Sequence, residues 1–297
     1  MKKLGRLLTA MVTPFKENGE VDYEQAKKLA LALLDSGNDG VVVAATTGEA
    51  PTLSWDEEMH LFAEVKSAVG GRGTVVAYTG SNSTAEAVEA TKKAEKTGVD
   101  ACLLVVPYYN KPTQEGLYQH FKTIAQSTSL PCIMYNVPAR TVTSLSADTA
   151  VRLSKEVDNI IGVKEASGNL GQISKIITEA RKDFLVWSGN DNDTFHILAV
   201  GGYGVISVAS HLVGKQIKEM MDNFLSGKIA EAARIHNHLL PLVDALFIIS
   251  NPIPVKYALN QIGFNVGKPR LPLVEPDEKT AAIIRETLKK YKIDLKV

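Results

Sequence analysis

Eight short apolar runs rich in valine and isoleucine recur along the chain, and this recurrence constrains the fold more than any other feature of the sequence. Each run begins roughly 20 to 34 residues after the start of the previous one. Strands that are apolar almost throughout are typical of a parallel sheet whose two faces are both covered. The runs occupy residues 7–12, 40–46, 74–79, 101–108, 131–137, 160–166, 184–189 and 204–210.

The segments between these runs have the pattern of amphipathic helices, and several begin with residues that cap helices. The pairs resembling a capping box are Asp22 with Gln25, Ser54 with Glu57, Ser83 with Glu86, and Asn169 with Gln172. Eight strands that alternate with helices predict a (β/α)8 barrel. A doubly wound open sheet is the alternative, but it normally has a glycine-rich phosphate loop after its first strand, and VTPFKENG at 12–19 is not such a loop.

The strand pattern stops after about residue 226. The remaining residues predict helices separated by proline-containing turns, and no low-complexity linker precedes them. We therefore expect a catalytic barrel domain over residues 1–226 and a small helical domain over residues 227–297.

Charge and composition argue against several classes of protein. The chain has 33 Lys and Arg against 33 Asp and Glu, whereas nucleic-acid binding favours a basic excess. No apolar run reaches the roughly 18 to 20 residues that span a bilayer, and the N-terminal residues complete no cleavable signal pattern. Its two cysteines, Cys102 and Cys132, form no disulfide framework. We expect a soluble, cytoplasmic protein without nucleic-acid or membrane partners.

Lys164 interrupts the apolar run IIGVKEA and is the first candidate for chemistry. Burying an ammonium costs several kcal/mol unless it is paired or the amine becomes neutral, and a neutral amine is what attack on a ketone requires. The alternative is a lysine at a strand end that pairs with Glu165 or reaches water. Glu165 should face away, because neighbours on a strand point to opposite sides. Tyr135, on the preceding strand, is either a core aromatic or a phenol that shares a cavity with Lys164 and carries protons.

Other polar residues follow the strands, where the active sites of such barrels lie. Thr46 and Thr47 offer hydroxyls to a carboxylate or cap the loop before Pro51. Arg140 has a planar fork suited to a carboxylate, or is a solvated surface charge. Tyr108 and Tyr109 are either site residues or interface aromatics.

Metal and phosphate chemistry find little support in the sequence. The six histidines show no HExxH spacing and neither cysteine belongs to a CxxC pair. The sequence also lacks a P-loop and a G-x-S-x-G elbow. We therefore expect chemistry carried by a lysine imine, without a metal or a cofactor.

Taken together, these motifs closely resemble the dihydrodipicolinate synthase family of pyruvate-dependent class I aldolases and lyases. The motifs are TTGE at 46–49, YYNKP at 108–112, YNVPART at 135–141, GVKEASGN at 162–169, SGN at 188–190 and GVISV at 204–208. The resemblance covers essentially the whole chain. Any one motif is weak evidence, but their order and spacing on eight strands are specific.

The resemblance implies a homotetrameric lyase that condenses pyruvate with L-aspartate-4-semialdehyde on the diaminopimelate route to lysine. By residue, it implies that Lys164 forms the Schiff base and that Tyr135 is the acid/base phenol. Thr46 and Tyr109 complete a proton relay, with Tyr109 reaching in from a neighbouring subunit. Thr47, Gly189 and Ile206 belong to the substrate-binding set, and Arg140 receives the carboxylate of the semialdehyde.

Family members that respond to L-lysine bind it at a subunit interface, and Asn82, Glu86 and Tyr108 resemble that site. Trp55 and Glu58 stand where some lysine-sensitive relatives carry histidines, so the sequence leaves inhibition by lysine open.

Three other functions compete with this prediction. The nearest is another pyruvate-dependent aldolase, such as N-acetylneuraminate lyase or a keto-deoxy-sugar aldolase, which resembles the chain at Lys164 and Tyr135. Arg140 and the tyrosine pair favour the semialdehyde condensation, because a neutral sugar needs no such arginine. A pyridoxal-phosphate barrel enzyme would need a phosphate cradle, and a sensor without turnover would not need Lys164, Tyr135, Thr46 and Tyr109 together.

Overall fold

A computed structural model of the chain describes residues 4–297. Eight strands follow one another in chain order around a closed barrel. Strand β1 pairs with β2 in parallel, and each strand from β3 to β7 pairs in parallel with the strand that follows it. The predicted (β/α)8 barrel is confirmed. The strands are β1 Leu7–Ala10, β2 Gly40–Val43, β3 Thr74–Tyr78, β4 Ala101–Val105, β5 Cys132–Asn136, β6 Ile160–Glu165, β7 Leu185–Ser188 and β8 Gly204–Ser207.

The strands lie within the apolar runs because nearly every strand residue is buried, as parallel strands covered on both faces require. Each strand is shorter than its run, and β2 shows why. The run 40–46 continues to Thr46, but the strand ends at Val43 because Ala44 adopts a left-handed backbone with φ of 53°. Such a conformation cannot continue a strand.

Twelve α-helices lie within residues 4–297, and the predicted capping residues start four of them. Ser54 and Glu57 form a complete capping box, with Ser54 N donating to Glu57 Oε2 at 2.9 Å. Ser83 also caps its helix, but the side chain of Glu86 instead accepts a hydrogen bond from Ser81. The helices are α1 Tyr23–Asp35, α2 Trp55–Val69, α3 Thr84–Glu95, α4 Gln114–Ala125, α5 Pro138–Thr141, α6 Ala147–Glu156, α7 Leu170–Glu179, α8 Thr194–Ala199, α9 Ser210–Leu225, α10 Ile229–Leu246, α11 Ile253–Gln261 and α12 Glu278–Leu288.

Contacts between residues group the chain into two compact units. One comprises residues 76–206, and the other comprises residues up to 75 together with 207–297. In the first unit, a continuous apolar core joins β4 to β7 with the inward faces of α3, α4, α6 and α7. In the second, α10 packs on α9 and α12, and α9 packs on β1. The predicted boundary at residue 226 falls between α9 and α10, and a separate domain over 227–297 stays a prediction.

Cys102 and Cys132 are buried free cysteines that lie opposite each other on β4 and β5. Burial raises the pKa of the Cys102 thiol to about 12 and raises that of Cys132 as well. Both are therefore neutral core side chains. No helix within residues 4–297 is long and apolar enough to cross a membrane.

Candidate active site

Lys164 and Tyr135 are neighbours across the β5–β6 pair, as the sequence predicts. The two residues are register partners in these parallel strands. Both are buried, each about 5% exposed, and the Lys164 Nζ lies 4.3 Å from the centroid of the Tyr135 ring. The structure thus places a primary amine against a phenol ring in an environment largely closed to solvent.

Glu165 has its own partners, away from Lys164. Its carboxylate accepts hydrogen bonds from Asn136 Nδ2 at 3.1 Å, from the Ser167 backbone at 2.9 Å and from Gln172 Nε2 at 3.3 Å. Burial raises the pKa of Glu165, and these hydrogen bonds oppose that rise. Neighbouring side chains on a strand diverge, so the alternative of a simple Lys164–Glu165 pair lacks support.

Asn136 connects the same cluster to the loop that carries Arg140. Its Oδ1 accepts from Leu145 N at 2.9 Å, and its Nδ2 also faces Leu145 O at 3.4 Å, so the two residues close the loop between them. Within this loop, Pro138 starts the short helix α5 and Arg140 stands exposed on it. The planar guanidinium of Arg140 has the donor geometry that suits a carboxylate.

Tyr108 and Tyr109 follow β4 as exposed aromatic side chains, and Tyr109 is 89% exposed. Tyr109 has a left-handed backbone with φ of 74°, which is unusual for a bulky residue. Hydrogen bonds hold the segment in place: Asn82 Nδ2 donates to Tyr108 O at 3.1 Å, and Asn110 Nδ2 donates to Asn82 O at 2.8 Å. Strained backbone that the surroundings hold in place is common at functional sites.

The residues that resemble a lysine site are partly brought together. Asn82 contacts Tyr108 through the backbone carbonyl just described, and Glu86 is exposed at the start of α3. Glu58, in contrast, is buried at 4% exposure, and its Oε2 has no hydrogen-bond partner within residues 4–297. Burial, followed by repulsion from Glu57, raises the pKa of Glu58 to about 8.

Gly189 and Ile206 lie at the ends of neighbouring strands. Gly189 N donates to Glu165 O at 2.7 Å, and a Cβ at this position would lie 2.6 Å from the Cβ of Ala166. Glycine is therefore required for the close approach of the two chain segments after β6 and β7. Ile206 is buried in β8, at 1% exposure.

Thr46 and Thr47 belong to the loop after β2, in the other compact unit. Thr46 is half-buried, whereas Thr47 is 3% exposed and its Oγ1 accepts a hydrogen bond from Asn251 Nδ2 at 2.9 Å. Asn251 precedes α11, and no motif in the sequence marked it as a site residue. Its signal in the sequence was weak, because NPIPVK at 251–256 predicts only a proline-containing turn and a helix start.

Lys256 is a second buried lysine, and sequence reasoning missed it too. Its ammonium donates to Glu49 Oε1 at 2.8 Å, Lys268 O at 3.0 Å and Thr13 O at 3.1 Å. All three of its N–H groups are occupied, so it is held as a charged structural group. A lysine surrounded by apolar residues was the available signal, the same one that identified Lys164.

These features define a class of protein before any comparison. A lysine and a tyrosine buried together on adjacent barrel strands supply an amine nucleophile and a proton-transfer group. These are the groups that an enzyme needs to form a Schiff base with a carbonyl substrate. No cluster of three or more His, Cys, Asp or Glu side chains able to hold a metal ion occurs in residues 4–297.

Comparison with known proteins identifies the family. The sequence model of the dihydrodipicolinate synthetase family matches residues 3–291. The 4-hydroxy-tetrahydrodipicolinate synthase of Dehalococcoides mccartyi is 68% identical over 297 residues, which cover 100% of both chains. This chain belongs to the dihydrodipicolinate synthetase family, so the predicted family and the predicted enzyme class, a class I aldolase-type lyase, are confirmed.

Solved structures agree with the sequence comparison. Dihydrodipicolinate synthase from Bacillus anthracis superimposes with a TM-score of 0.96 at 44% identity, covering 98% of this chain and 100% of that one. The enzyme from Cyanidioschyzon merolae, solved with lysine bound, gives a TM-score of 0.95 at 47% identity, covering 97% of this chain and 98% of that one. At these identities the likeness extends to the family and not only to the fold.

Proposed function

We propose that this chain condenses pyruvate with L-aspartate-4-semialdehyde to give 4-hydroxy-tetrahydrodipicolinate, in the diaminopimelate route to lysine. The observation that carries the proposal is the Lys164 amine packed on the Tyr135 ring inside a barrel of this family. Curated relatives 67–68% identical over the whole chain bear the name of this activity. Sugar-cleaving aldolases share the lysine and tyrosine, but the relatives named here are not such enzymes.

The reaction begins at Lys164. Its neutral amine adds to the ketone carbon of pyruvate, and loss of water leaves an iminium ion. The iminium withdraws electrons, so the adjacent methyl group loses a proton and becomes an enamine. The enamine carbon then forms a bond to the aldehyde carbon of the semialdehyde. Finally the amine of that substrate replaces Lys164 at the imine carbon, which closes the ring and frees the enzyme.

Each of these steps moves a proton, and Tyr135 is the acid/base group beside Lys164. Thr46 and Tyr109 complete the relay, with Tyr109 supplied by a neighbouring subunit of a homotetramer. A side chain that is 89% exposed on a backbone held by hydrogen bonds supports this role, because such an aromatic suits insertion into another subunit. A positioned relay typically contributes about 10²–10⁴-fold to the rate.

The two substrate carboxylates are bound at different places. Thr47 and Ile206 contact pyruvate, and Gly189 belongs to the same substrate-binding set. Arg140 receives the carboxylate of the semialdehyde. The exposure of Arg140 on α5 supports a role at the mouth of the site, where the second substrate arrives. The enzyme acts in the cytoplasm, and its two buried free cysteines suit that reducing compartment.

We also propose that L-lysine binds at Asn82, Glu86 and Tyr108. The lysine-bound relative from Cyanidioschyzon merolae supports ligand binding in this family. Glu86 offers an exposed carboxylate for an ammonium group, and Tyr108 adjoins Tyr109 of the proton relay.

Borohydride reduction in the presence of pyruvate, followed by peptide mass mapping, tests the proposal. We expect one reduced three-carbon adduct, on Lys164, and none in Lys164→Ala or without pyruvate. The buried Lys256 is an internal comparison, because its three N–H groups are already engaged. An adduct on Lys256, or active enzyme without any adduct, would refute the mechanism. Turnover with both substrates tests the choice of the second substrate.

A further inference from the structure

The loop after β2, residues 44–49, is held in a conformation that it does not adopt by itself. Ala44 and Glu49 have left-handed backbones, with φ of 53° and 60°. Neither is a glycine, so both conformations are unfavourable and persist only when surrounding groups impose them. Between them, Gly48 lies so close to Ala44 that a Cβ would approach its Cα to 2.9 Å. Thr46 and Thr47 sit inside this constrained loop.

A buried ion pair between Glu49 and Lys256 fixes the conformation of the C-terminal end of the loop. Glu49 and the Lys256 side chain are each about 1% exposed as a pair, with Nζ and Oε1 2.8 Å apart. The second oxygen, Oε2, accepts a hydrogen bond from Arg270 N at 2.8 Å. A buried charge is tolerated when it is paired and its remaining hydrogen bonds are satisfied. Every polar atom of this pair therefore has a partner that fixes where Glu49 lies.

Lys256 is itself fixed by groups from three parts of the chain. Besides Glu49, it donates to Thr13 O and Lys268 O, and it lies 4.2 Å from the centroid of the Phe15 ring. The hydroxyl of Thr13 donates in turn to Gly48 O at 2.7 Å. Lys256 thus holds the C-terminal end of the loop in two ways, directly through Glu49 and indirectly through Thr13 and Gly48.

Asn251 acts directly on Thr47. Its Nδ2 donates to Thr47 Oγ1 at 2.9 Å, and the Thr47 side chain is buried. A hydroxyl has one hydrogen to donate. Because Thr47 Oγ1 accepts the hydrogen bond from Asn251, the hydroxyl hydrogen of Thr47 points away from Asn251 and can be donated to another group. A hydroxyl polarised in this way suits an anionic acceptor such as a carboxylate.

We propose that Asn251 and Lys256, from the C-terminal helical segment, are positioning residues that hold the loop of Thr46 and Thr47 and orient the Thr47 hydroxyl as a donor to the pyruvate carboxylate. This inference rests on the proposed function, since it assumes that Thr47 contacts pyruvate. It gives the C-terminal segment a role in substrate specificity: recognition of a 2-keto acid over a ketone without a carboxylate.

Asn251→Ala tests the direct contact without removing a charge. The measurement is borohydride trapping on Lys164 as a function of pyruvate concentration, together with steady-state kinetics. We expect the half-saturating pyruvate concentration to rise about tenfold, since a hydrogen bond to a charged group is lost or misdirected. The semialdehyde KM and the melting temperature should stay near the wild-type values. Gln261→Ala, an exposed change at the end of the helix that follows Asn251, is the control.

Acetone separates an effect on the carboxylate from a general disturbance of the site. It forms the same imine but has no carboxylate, so its trapping in Asn251→Ala should match that in wild type. If pyruvate and acetone trapping fall together, or if the pyruvate dependence stays within twofold of wild type, the inference is wrong. Wild-type enzyme that traps neither ketone would instead refute the proposed function, so the two failures are distinguishable.

The role of Lys256 requires a double substitution, because removing one partner leaves a buried unpaired charge. In Glu49→Gln with Lys256→Met, the pair is replaced by neutral groups of similar size. We expect a several-fold rise in half-saturating pyruvate with unchanged acetone trapping. A folded double variant with wild-type pyruvate dependence would remove Lys256 from the inference. Failure of this variant to fold would show that the pair is needed for folding as such and would also remove Lys256 from the inference. Lys279→Met changes an exposed lysine and is the matched control.

Discussion

Replacing Glu58 with glutamine is expected to stabilise the protein, and increasingly so as the pH rises. Glu58 lies in the first turn of α2 at 4% exposure, and its Oε2 finds no partner within residues 4–297. Desolvation by burial is the main cause of its raised pKa of about 8, and the nearby charge of Glu57 adds to it. Near neutral pH the folded protein therefore keeps this carboxyl largely protonated.

The sign follows from proton binding in the two states. The unfolded chain releases the Glu58 proton near pH 4.5, whereas the folded chain holds it until about pH 8. The contribution of protonated Glu58 to the free energy of unfolding is fully present below pH 4.5. It is lost as the pH rises from 4.5 to 8, because in this range the folded state binds more protons than the unfolded state. Each pKa unit corresponds to about 1.4 kcal/mol. The loss is on the order of 3 kcal/mol at pH 7 and approaches about 5 kcal/mol above pH 8.

Glutamine keeps the shape of the side chain and cannot ionise, so Glu58→Gln should remove this loss. The melting temperatures of the two proteins should be close at pH 5, and the variant should melt roughly 5 °C higher at pH 7. Burial also lowers the pKa of His120 and of His211 to about 4. The folded protein therefore loses stability as the pH falls below 6.5, because the unfolded chain binds these two protons first. Their contribution is common to both proteins and cancels in the difference.

Thermal melting across pH 5–9 measures this difference. Glu179→Gln removes an exposed carboxylate and is the control, with an expected pH dependence like that of wild type. A difference between Glu58→Gln and wild type that does not change with pH would refute the reasoning. A variant that is less stable at pH 8 would show that Glu58 is ionised and paired in the folded protein.

Three further predictions concern the proposed site. Arg140→Ala should lower kcat/KM for the semialdehyde roughly 10- to 100-fold, since a charge-assisted contact contributes about 1.5–3 kcal/mol. Trapping of pyruvate on Lys164 should stay largely intact. Unchanged semialdehyde kinetics would contradict the assignment of Arg140. Tyr109→Phe should reduce turnover. If Tyr109 serves a neighbour's site, mixed oligomers of Tyr109→Phe and Lys164→Ala subunits should recover some activity. Verified mixed oligomers that recover none would count against an active site shared between subunits. Calorimetric titration should show L-lysine binding that weakens in Glu86→Ala, and binding of equal strength in the variant would exclude Glu86 from that site.

The sequence alone determined the barrel and singled out Lys164 and Tyr135 as the candidate catalytic pair. The apolar runs are local patterns, and parallel strands buried on both faces require them, so the eight strands followed from spacing and composition. Lys164 and Tyr135 were identified for the same reason: a polar group inside an apolar strand is visible without knowing its neighbours. The chain order of the strands predicted that the two residues lie on neighbouring strands, and the structure makes them register partners.

Only the tertiary structure decided which charges are paired and which are not. Lys256 meets Glu49 across 207 residues of sequence, and Asn251 meets Thr47 across 204. No local pattern encodes such contacts. The same holds for Glu58, which the sequence presents as an ordinary acidic residue at a helix start and the fold buries. The cost of burying a charge depends on the solvent and partners that surround it, and those are set by packing between distant segments.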